Sequence, residues 1–214
     1  MTGAETVVLR EMRWWDIEPV LELERELFPE DAWSRGMFWS ELAHARGPGA
    51  SRRYVVAQEG DRIVGYAGLA ASGAAQDGAP DASAGGERAG GSPGGGSAGG
   101  DSPEDGSPGG GADVQTIAVT RDHWGTGLGS RLLTDLLRAA TAFECSEVLL
   151  ECRVDNVRAQ KLYERFGFET IGVRRGYYQP GNVDALVMRL TDPSTPPTAP
   201  DRSVNGVQGT ENHG

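Results

Sequence analysis

The sequence predicts an α/β fold, a mixed sheet with helices on both faces in the order β α α β β β α β α β β. Three observations predict it. Short apolar runs recur along the chain at strand length, two of them separated only by Glu59, Gly60 and Asp61. Between other runs lie stretches whose apolar residues recur at helical spacing. One run, QTIAV (115–119), leads through WGTGLGS (124–130) into RLLTDLLRAA, which is the strand, glycine turn and helix of an α/β unit.

The elements follow in order. Residues 6–12, TVVLREM, form the first strand. Asp16 stands at the N-cap of a helix that turns Ile17, Val20, Leu21 and Leu27 to one side, and Ser34 stands likewise before Met37, Phe38, Glu41 and Leu42. RYVVAQ and RIVGYAGLA are the arms of a hairpin around EGD. A strand over 114–119 precedes a helix from Leu128 to Phe143 with Leu132, Leu133, Leu136 and Leu137 inward. Residues 147–152 form the next strand. Asn156 caps the last helix, Gly167 ends it, and FETIGVRR and DALVMRL supply two final strands.

Residues 72–112 hold about 15 of the chain's 32 glycines and almost nothing large and apolar, a composition that cannot build a core. A structureless insert of this length weighs against an element assignment. Closure entropy grows only logarithmically, however, and stretching a five-residue hairpin loop to about forty costs roughly 2 kcal/mol. Residues 1–190 are therefore expected to form one domain, interrupted by a disordered insertion at 72–112 and followed by a disordered tail over 191–214.

The formal net charge of the 214 residues is −11. Asp77, Asp81, Glu87, Asp101, Glu104 and Asp105 against Arg88 put about −5 of it in the insertion, and Asp192, Asp201 and Glu211 against Arg202 about −2 in the tail. The remaining core is mildly acidic. Such a surface repels phosphate backbones, which argues against nucleic acid and suits basic protein segments. Cys145 and Cys152 are too few for a disulfide framework. With no apolar run of signal-peptide or membrane length, a cytoplasmic protein with reduced thiols and no membrane association is expected; the sequence does not reveal the oligomeric state, and a monomer is favoured. His44 and His123 have no metal-like spacing with each other or with the cysteines, so no metal is expected.

Three glycines at alternate positions before a helix leave backbone amides facing one point, where the helix dipole also favours an anion. The dinucleotide fingerprint fails because its third glycine position falls on Ser130, and a P-loop fails for want of a Lys in the turn. From these residues alone, an anion cradle and a tight turn with nothing bound both remain open.

TIAV, WGTGLGSRLL, LLECRVDN and AQKLYERFGF together resemble the GCN5-related N-acetyltransferase (GNAT) superfamily, whose order of elements matches the one above over nearly the whole core. Its pyrophosphate loop is Q/R-x-x-G-x-G/A; here Gly127 and Gly129 fill the glycine places and Trp124 replaces the Gln or Arg. LLECRVDNVRAQKLYERFGF, VRRGYYQPGNVDALVMRL and FPEDAWSRGMF are similar to the bacterial ribosomal-protein-alanine N-acetyltransferases, the RimI type. The resemblance implies the acyl-CoA N-acyltransferase fold and acetyl-CoA as co-substrate. It implies that Ile117, Ala118 and Val119 face the pantetheine and thioester, and that Gly125, Thr126, Gly127, Leu128, Gly129 and Ser130 hold the pyrophosphate. The acceptor it implies is the N-terminal amine of a ribosomal protein, an alanine.

Acetylating an amine requires a neutral nitrogen, a polarised carbonyl and a proton for the leaving thiolate. An α-amine titrates about 2.5 units below Lys, so a modest base suffices. By resemblance Glu151 is the general base, directly or through a water, and the Val119 amide polarises the carbonyl. As a strand-end carboxylate Glu151 is otherwise solvated or paired with Arg153. Tyr163 is a core aromatic on the stripe Ala159, Leu162, Tyr163, Phe166, and by resemblance also the general acid. Asn156 caps its helix and by resemblance contacts the cofactor. Strand alternation turns Cys152 away from Glu151, against a covalent acetyl-enzyme. Trp33, Tyr177 and Tyr178 either line a slot for the acceptor peptide or pack. Transfer to a small amine such as an aminoglycoside or polyamine, and a non-catalytic CoA-binding domain, stay open as alternatives.

Overall fold

The computed structural model describes residues 6–29, 32–72 and 110–194. Its strands are β1 (Val8–Glu11), β2 (Arg52–Glu59), β3 (Arg62–Ser72), β4 (Gly111–Val119), β5 (Glu147–Arg153), β6 (Glu169–Tyr178) and β7 (Val183–Thr191). Its helices are α1 (Ile17–Leu27), α2 (Arg35–Ala43), α3 (Leu128–Ala142) and α4 (Val157–Arg165). The order along the chain is the expected one.

All seven strands join one sheet, ordered β1-β2-β3-β4-β5-β7-β6. One face carries α3 and α4, whose Leu132, Leu133, Leu136, Tyr163 and Phe166 pack on Val55, Leu69, Val148 and Leu150. The other carries α1 and α2, with Ile17, Val20, Trp33 and Phe38 packed on Tyr54, Val56 and Tyr66. Burial of these apolar stripes is the main term holding helices to sheet. Among the described residues no helix is long and apolar enough to cross a membrane.

Several boundaries and roles differ from the sequence reading. The first strand is shorter, and Asp16 does not cap α1 with its side chain. It ends a 3₁₀ turn, Trp14–Asp16, and its buried carboxylate accepts two bonds of 2.7 Å from the Arg10 guanidinium and one of 2.8 Å from the Arg13 amide. A carboxylate drawn out of water needs such a partner, and the pair ties β1 to α1. Ser34 does cap α2, its Oγ accepting from the Met37 amide.

Ser72, Gly111 and Ala112, expected in the insertion, are strand residues, paired Ser72↔Gly111 and Ala71↔Ala112. Thr191 closes β7 rather than opening the tail. Gly110 and residues 192–194 are also described, while 73–109 of the expected insertion and 195–214 of the expected tail lie outside the described residues.

Five strand pairs are antiparallel and β4·β5 is parallel. That parallel pairing runs only from Gly111↔Glu147 to Val114↔Leu150. The next residue of β4, Gln115, is an extra one against β3, where the register jumps from Gly68↔Thr116 to Leu69↔Val114. A bulge bends the strand that carries it. Beyond it β4 follows β3 and leaves β5, opening a split through the sheet.

Candidate active site

The split is lined by main chain. Just past β4 the Thr120 amide donates to the Val64 carbonyl of β3 at 2.9 Å. Antiparallel ladders alternate, so at the intervening positions opposite Gly65 and Ala67 the N–H and C=O of Val119 and Ile117 point away from β3, toward β5. No strand of the described residues pairs with them there. The Val119 carbonyl accepts the Trp124 indole N–H at 2.8 Å. What remains facing the split is the Val119 amide and both main-chain groups of Ile117. Ala118 turns its side chain into the α1/α2 core.

The chain then runs through a 3₁₀ turn, Arg121–His123, into the glycines. Gly125 and Gly127 have φ of 81° and 87°, and a Cβ on either would meet nothing. Their requirement is conformational: left-handed backbone that other residues adopt at a cost. Gly127 is the N-cap of α3, and the first helical bond runs from the Arg131 amide to its carbonyl at 3.1 Å. The amides of Leu128, Gly129 and Ser130 therefore have no carbonyl within the helix. Gly129 answers to packing, since its Cβ would lie 3.3 Å from Leu162 Cδ2 of α4. Of the other residues expected to cradle a phosphate, Leu128 is a core side chain and the Thr126 hydroxyl donates to the His123 carbonyl at 2.8 Å. At Leu128 and Thr126 the turn therefore offers main chain rather than side chains.

Trp124 itself is exposed, with the Arg158 guanidinium 3.6 Å from its ring centroid and that of Arg121 5.3 Å away.

Glu151 is the first residue of β5 past its last pair with β4. Its carboxylate lies 3.1 Å from Arg174 of β6. Burial raises its pKa, the Arg174 cation draws it back down, and Asp113 adds to the rise. The expected alternative partner, Arg153, is bound to Asp155 by two bonds of 3.0 Å. Two extra residues on β6 between Arg174↔Ala185 and Tyr178↔Val183 re-aim its end. There Tyr177 and Tyr178 meet edge to face at 5.1 Å, and the Tyr178 hydroxyl donates to the Glu151 carbonyl at 3.4 Å. Burial, and then Glu151, push the Tyr177 phenol up.

Tyr163 stands on the other side of β5. Val148, Leu150 and Cys152 face the α3/α4 core while Glu151 faces away, as strand alternation requires. Tyr163 packs in that core, 5.8 Å from the Phe168 ring, and burial, with Cys152 and Tyr178 nearby, holds its phenol well above the usual tyrosine range. Asn156 caps α4 through its Oδ1, which accepts from the Ala159 amide at 3.1 Å. Trp33 is not with the tyrosines: its ring is buried against Phe38 and Tyr54 and its main-chain N–H donates to Glu24. Among the described residues no group of three or more His, Cys, Asp or Glu could hold a metal ion.

Sequence reasoning missed Arg174, Asp113, Arg121 and Arg158. Arg174 sits in the VRRGYY segment, but β7 lies between β6 and β5, so no local spacing links it to Glu151.

Residues 17–168 match the family model of the Acetyltransferase (GNAT) family. Over 193 residues, 89% of this chain and 97% of the relative, the sequence is 32% identical to N-alpha-acetyltransferase RimI of Mycobacterium tuberculosis. The fold is that of the ribosomal-protein-S18-alanine N-acetyltransferase from Escherichia coli, with TM-score 0.59 and 20% identity over 94% of this chain and 100% of that one. It is likewise that of Arabidopsis thaliana NAA60 in complex with acetyl-CoA, with TM-score 0.63 and 16% identity over 87% and 99%. A family model spanning most of the chain and a relative matched over nearly its full length agree with the split sheet and glycine turn, and the chain belongs to the GNAT family of acetyltransferases.

Proposed function

We propose that this chain moves the acetyl group of acetyl-CoA directly onto the N-terminal amine of a protein, an alanine-starting ribosomal protein being the acceptor. The observation that carries the reading is the continuity of the split with the glycine turn. An extended pantetheine arm fits between β4 and β5, where Ile117 and Val119 present unpaired main-chain groups. A pyrophosphate fits the amides at the start of α3, which follow in the same run of chain. The names of relatives support the acceptor: one is an N-alpha-acetyltransferase and one acts on ribosomal protein S18 alanine. NAA60 was solved with acetyl-CoA. Residues 1–190 act in this reading as one domain, the segment 73–109 being an insertion in the β3–β4 hairpin.

Glu151 and Tyr163 take the two proton transfers from opposite faces of β5. Glu151, its pKa raised by burial, accepts the proton of the α-ammonium, directly or through a water; the low pKa of an α-amine keeps this step within reach of a carboxylate. The Val119 amide donates to the thioester oxygen as negative charge builds there. The amine nitrogen bonds to the acetyl carbonyl carbon; as the C–S bond breaks, Tyr163 gives its proton to the departing CoA thiolate, and the proton still carried by the nitrogen leaves to solvent, which reprotonates the Tyr163 phenolate. Tyr177 and Tyr178 flank Glu151 on the acceptor side, and the side-chain amide nitrogen of Asn156 is left for the cofactor. Trp33 supports this side from the core and touches no substrate.

The test is incubation of the full chain with acetyl-CoA and, in separate reactions, an Ala-starting peptide, its N-terminally blocked copy carrying a Lys, a polyamine and an aminoglycoside, read by mass spectrometry. Acetylation at the peptide N-terminus alone is expected. Turnover of the small amines without the peptide would overturn the acceptor, and binding of acetyl-CoA with no turnover on any amine would overturn catalysis.

A further inference from the structure

The glycine turn 125–130 contains no Lys or Arg, and an uncharged Trp124 precedes it. Backbone amides and a helix dipole supply only about half an elementary charge, whereas the phosphates of CoA bring several. The chain as a whole is acidic, so the cations must be local.

Most arginines around the site are already neutralised. Arg62 lies 2.7 Å from Asp122, Arg153 is held by Asp155, and Arg174 by Glu151; Arg131, the residue after the turn, has no ion pair among the described residues, but its guanidinium donates to the Val7 carbonyl at 2.8 Å. Arg121 and Arg158 form no ion pair among the described residues. They come from different elements, the 3₁₀ turn before the glycines and the first turn of α4, and both converge on the Trp124 ring. The ring is itself pinned, its N–H bonded to the Val119 carbonyl at the mouth of the split. Two uncompensated charges are thus fixed, through one indole, to the strand that lines the split and the turn that follows it.

Resting on the acetyl-CoA reading above, we infer that Arg158 and Arg121, held against Trp124, are the cationic contact for the phosphates of CoA, and that Trp124 positions them without contacting phosphate itself. Trp124 offers no charge, and its single N–H donor is spent on Val119. If the two stacks only stabilised a surface ring, they would contribute about 0.5–1 kcal/mol of folding and nothing to binding.

Isothermal titration of the full chain with CoA, dephospho-CoA and pantetheine separates these roles. Arg158→Gln is expected to weaken CoA about 10-fold and to flatten the salt dependence of its Kd, because one screened attraction is gone. Arg121→Gln does the same to a smaller degree, Arg158→Lys recovers most of the affinity, and pantetheine binding is unchanged in all three. Loss of the Arg158→Gln effect with dephospho-CoA assigns the contact to the 3′-phosphate, and its persistence assigns it to the pyrophosphate. Arg158→Gln binding CoA with the wild-type Kd and salt slope overturns the inference while leaving the acetyl-CoA reading intact. A wild-type chain that takes up no CoA overturns both.

Discussion

The Glu151 carboxylate, on the fifth strand of the sheet, is held 3.1 Å from the guanidinium of Arg174, which reaches it from two strands away. Three influences meet on that carboxylate. Burial favours its neutral form, Arg174 its charged form, and Asp113 the neutral form again. A base with a pKa raised toward the working pH is stronger when ionised, and the ion pair keeps it ionised.

The sign of the consequence is fixed. With Glu151 as the proposed base the reactive form is the carboxylate, so activity is expected to rise as pH climbs through the Glu151 pKa. Removing the cation removes the downward influence, and Arg174→Gln is expected to move the acidic limb of kcat/KM to higher pH. Asp113→Asn removes an upward influence and should move it lower. Glu151→Gln should abolish the limb and lower kcat by about 100-fold or more. Rate profiles of the three variants across the acidic range check this, and an unmoved limb in Arg174→Gln would detach Glu151 from the titration.

Tyr163 and Cys152 share the opposite side of that strand and should behave differently. Burial foremost, and then Asp155, push the Cys152 thiol up to about 11, so it stays protonated at neutral pH and is a poor nucleophile. Cys152→Ala is expected to keep kcat within about threefold. Tyr163→Phe keeps the ring packed against Phe168 but has no proton to give; kcat should fall about 100-fold or more while the Kd of acetyl-CoA changes little. Single-turnover rates and titration calorimetry separate the two effects. An acetyl group trapped on Cys152 would replace this mechanism with a covalent one.

Much of this site is legible in the sequence because its signals are local. Strand alternation separates Cys152 from Glu151, the Asn156 side chain caps where an Asn caps, and Gly127 and Gly129 mark the turn. The misreadings share one cause. Asp16 has the same residue type and spacing whether it caps a helix or accepts a guanidinium, and only the path of β1 brings Arg10 to it. Arg153 shares a strand face with Glu151, but the turn after β5 gives it Asp155 instead. For Trp33 the sequence leaves slot lining and packing both open, and Phe38 and Tyr54, from other elements, decide for packing. Each depends on which strands become neighbours, and a single local spacing does not carry that.

Gly68 is the least legible of these residues and supports the last expectation. It lies opposite Tyr54 in the β2–β3 register, and a Cβ there would come within 2.6 Å of the ring at Cζ. The ring cannot easily move, being buried and met by Phe38 and Trp33, and its hydroxyl donates to Gln115 at 3.4 Å. Gln115 is the extra residue at which β4 leaves β5, so this packing also braces the split. Gly68→Ala should cost about 2 kcal/mol by overpacking, lowering Tm by about 4–8 °C, and should weaken acetyl-CoA binding although residue 68 lies on β3, away from the split. Tyr54→Val alone leaves a cavity and also destabilises, but combined with Gly68→Ala it removes the clash, so the double variant should lose less than the sum of the single losses. Strict additivity in melting curves would mean that Gly68 and Tyr54 do not constrain each other, and the bracing of the split would need another origin.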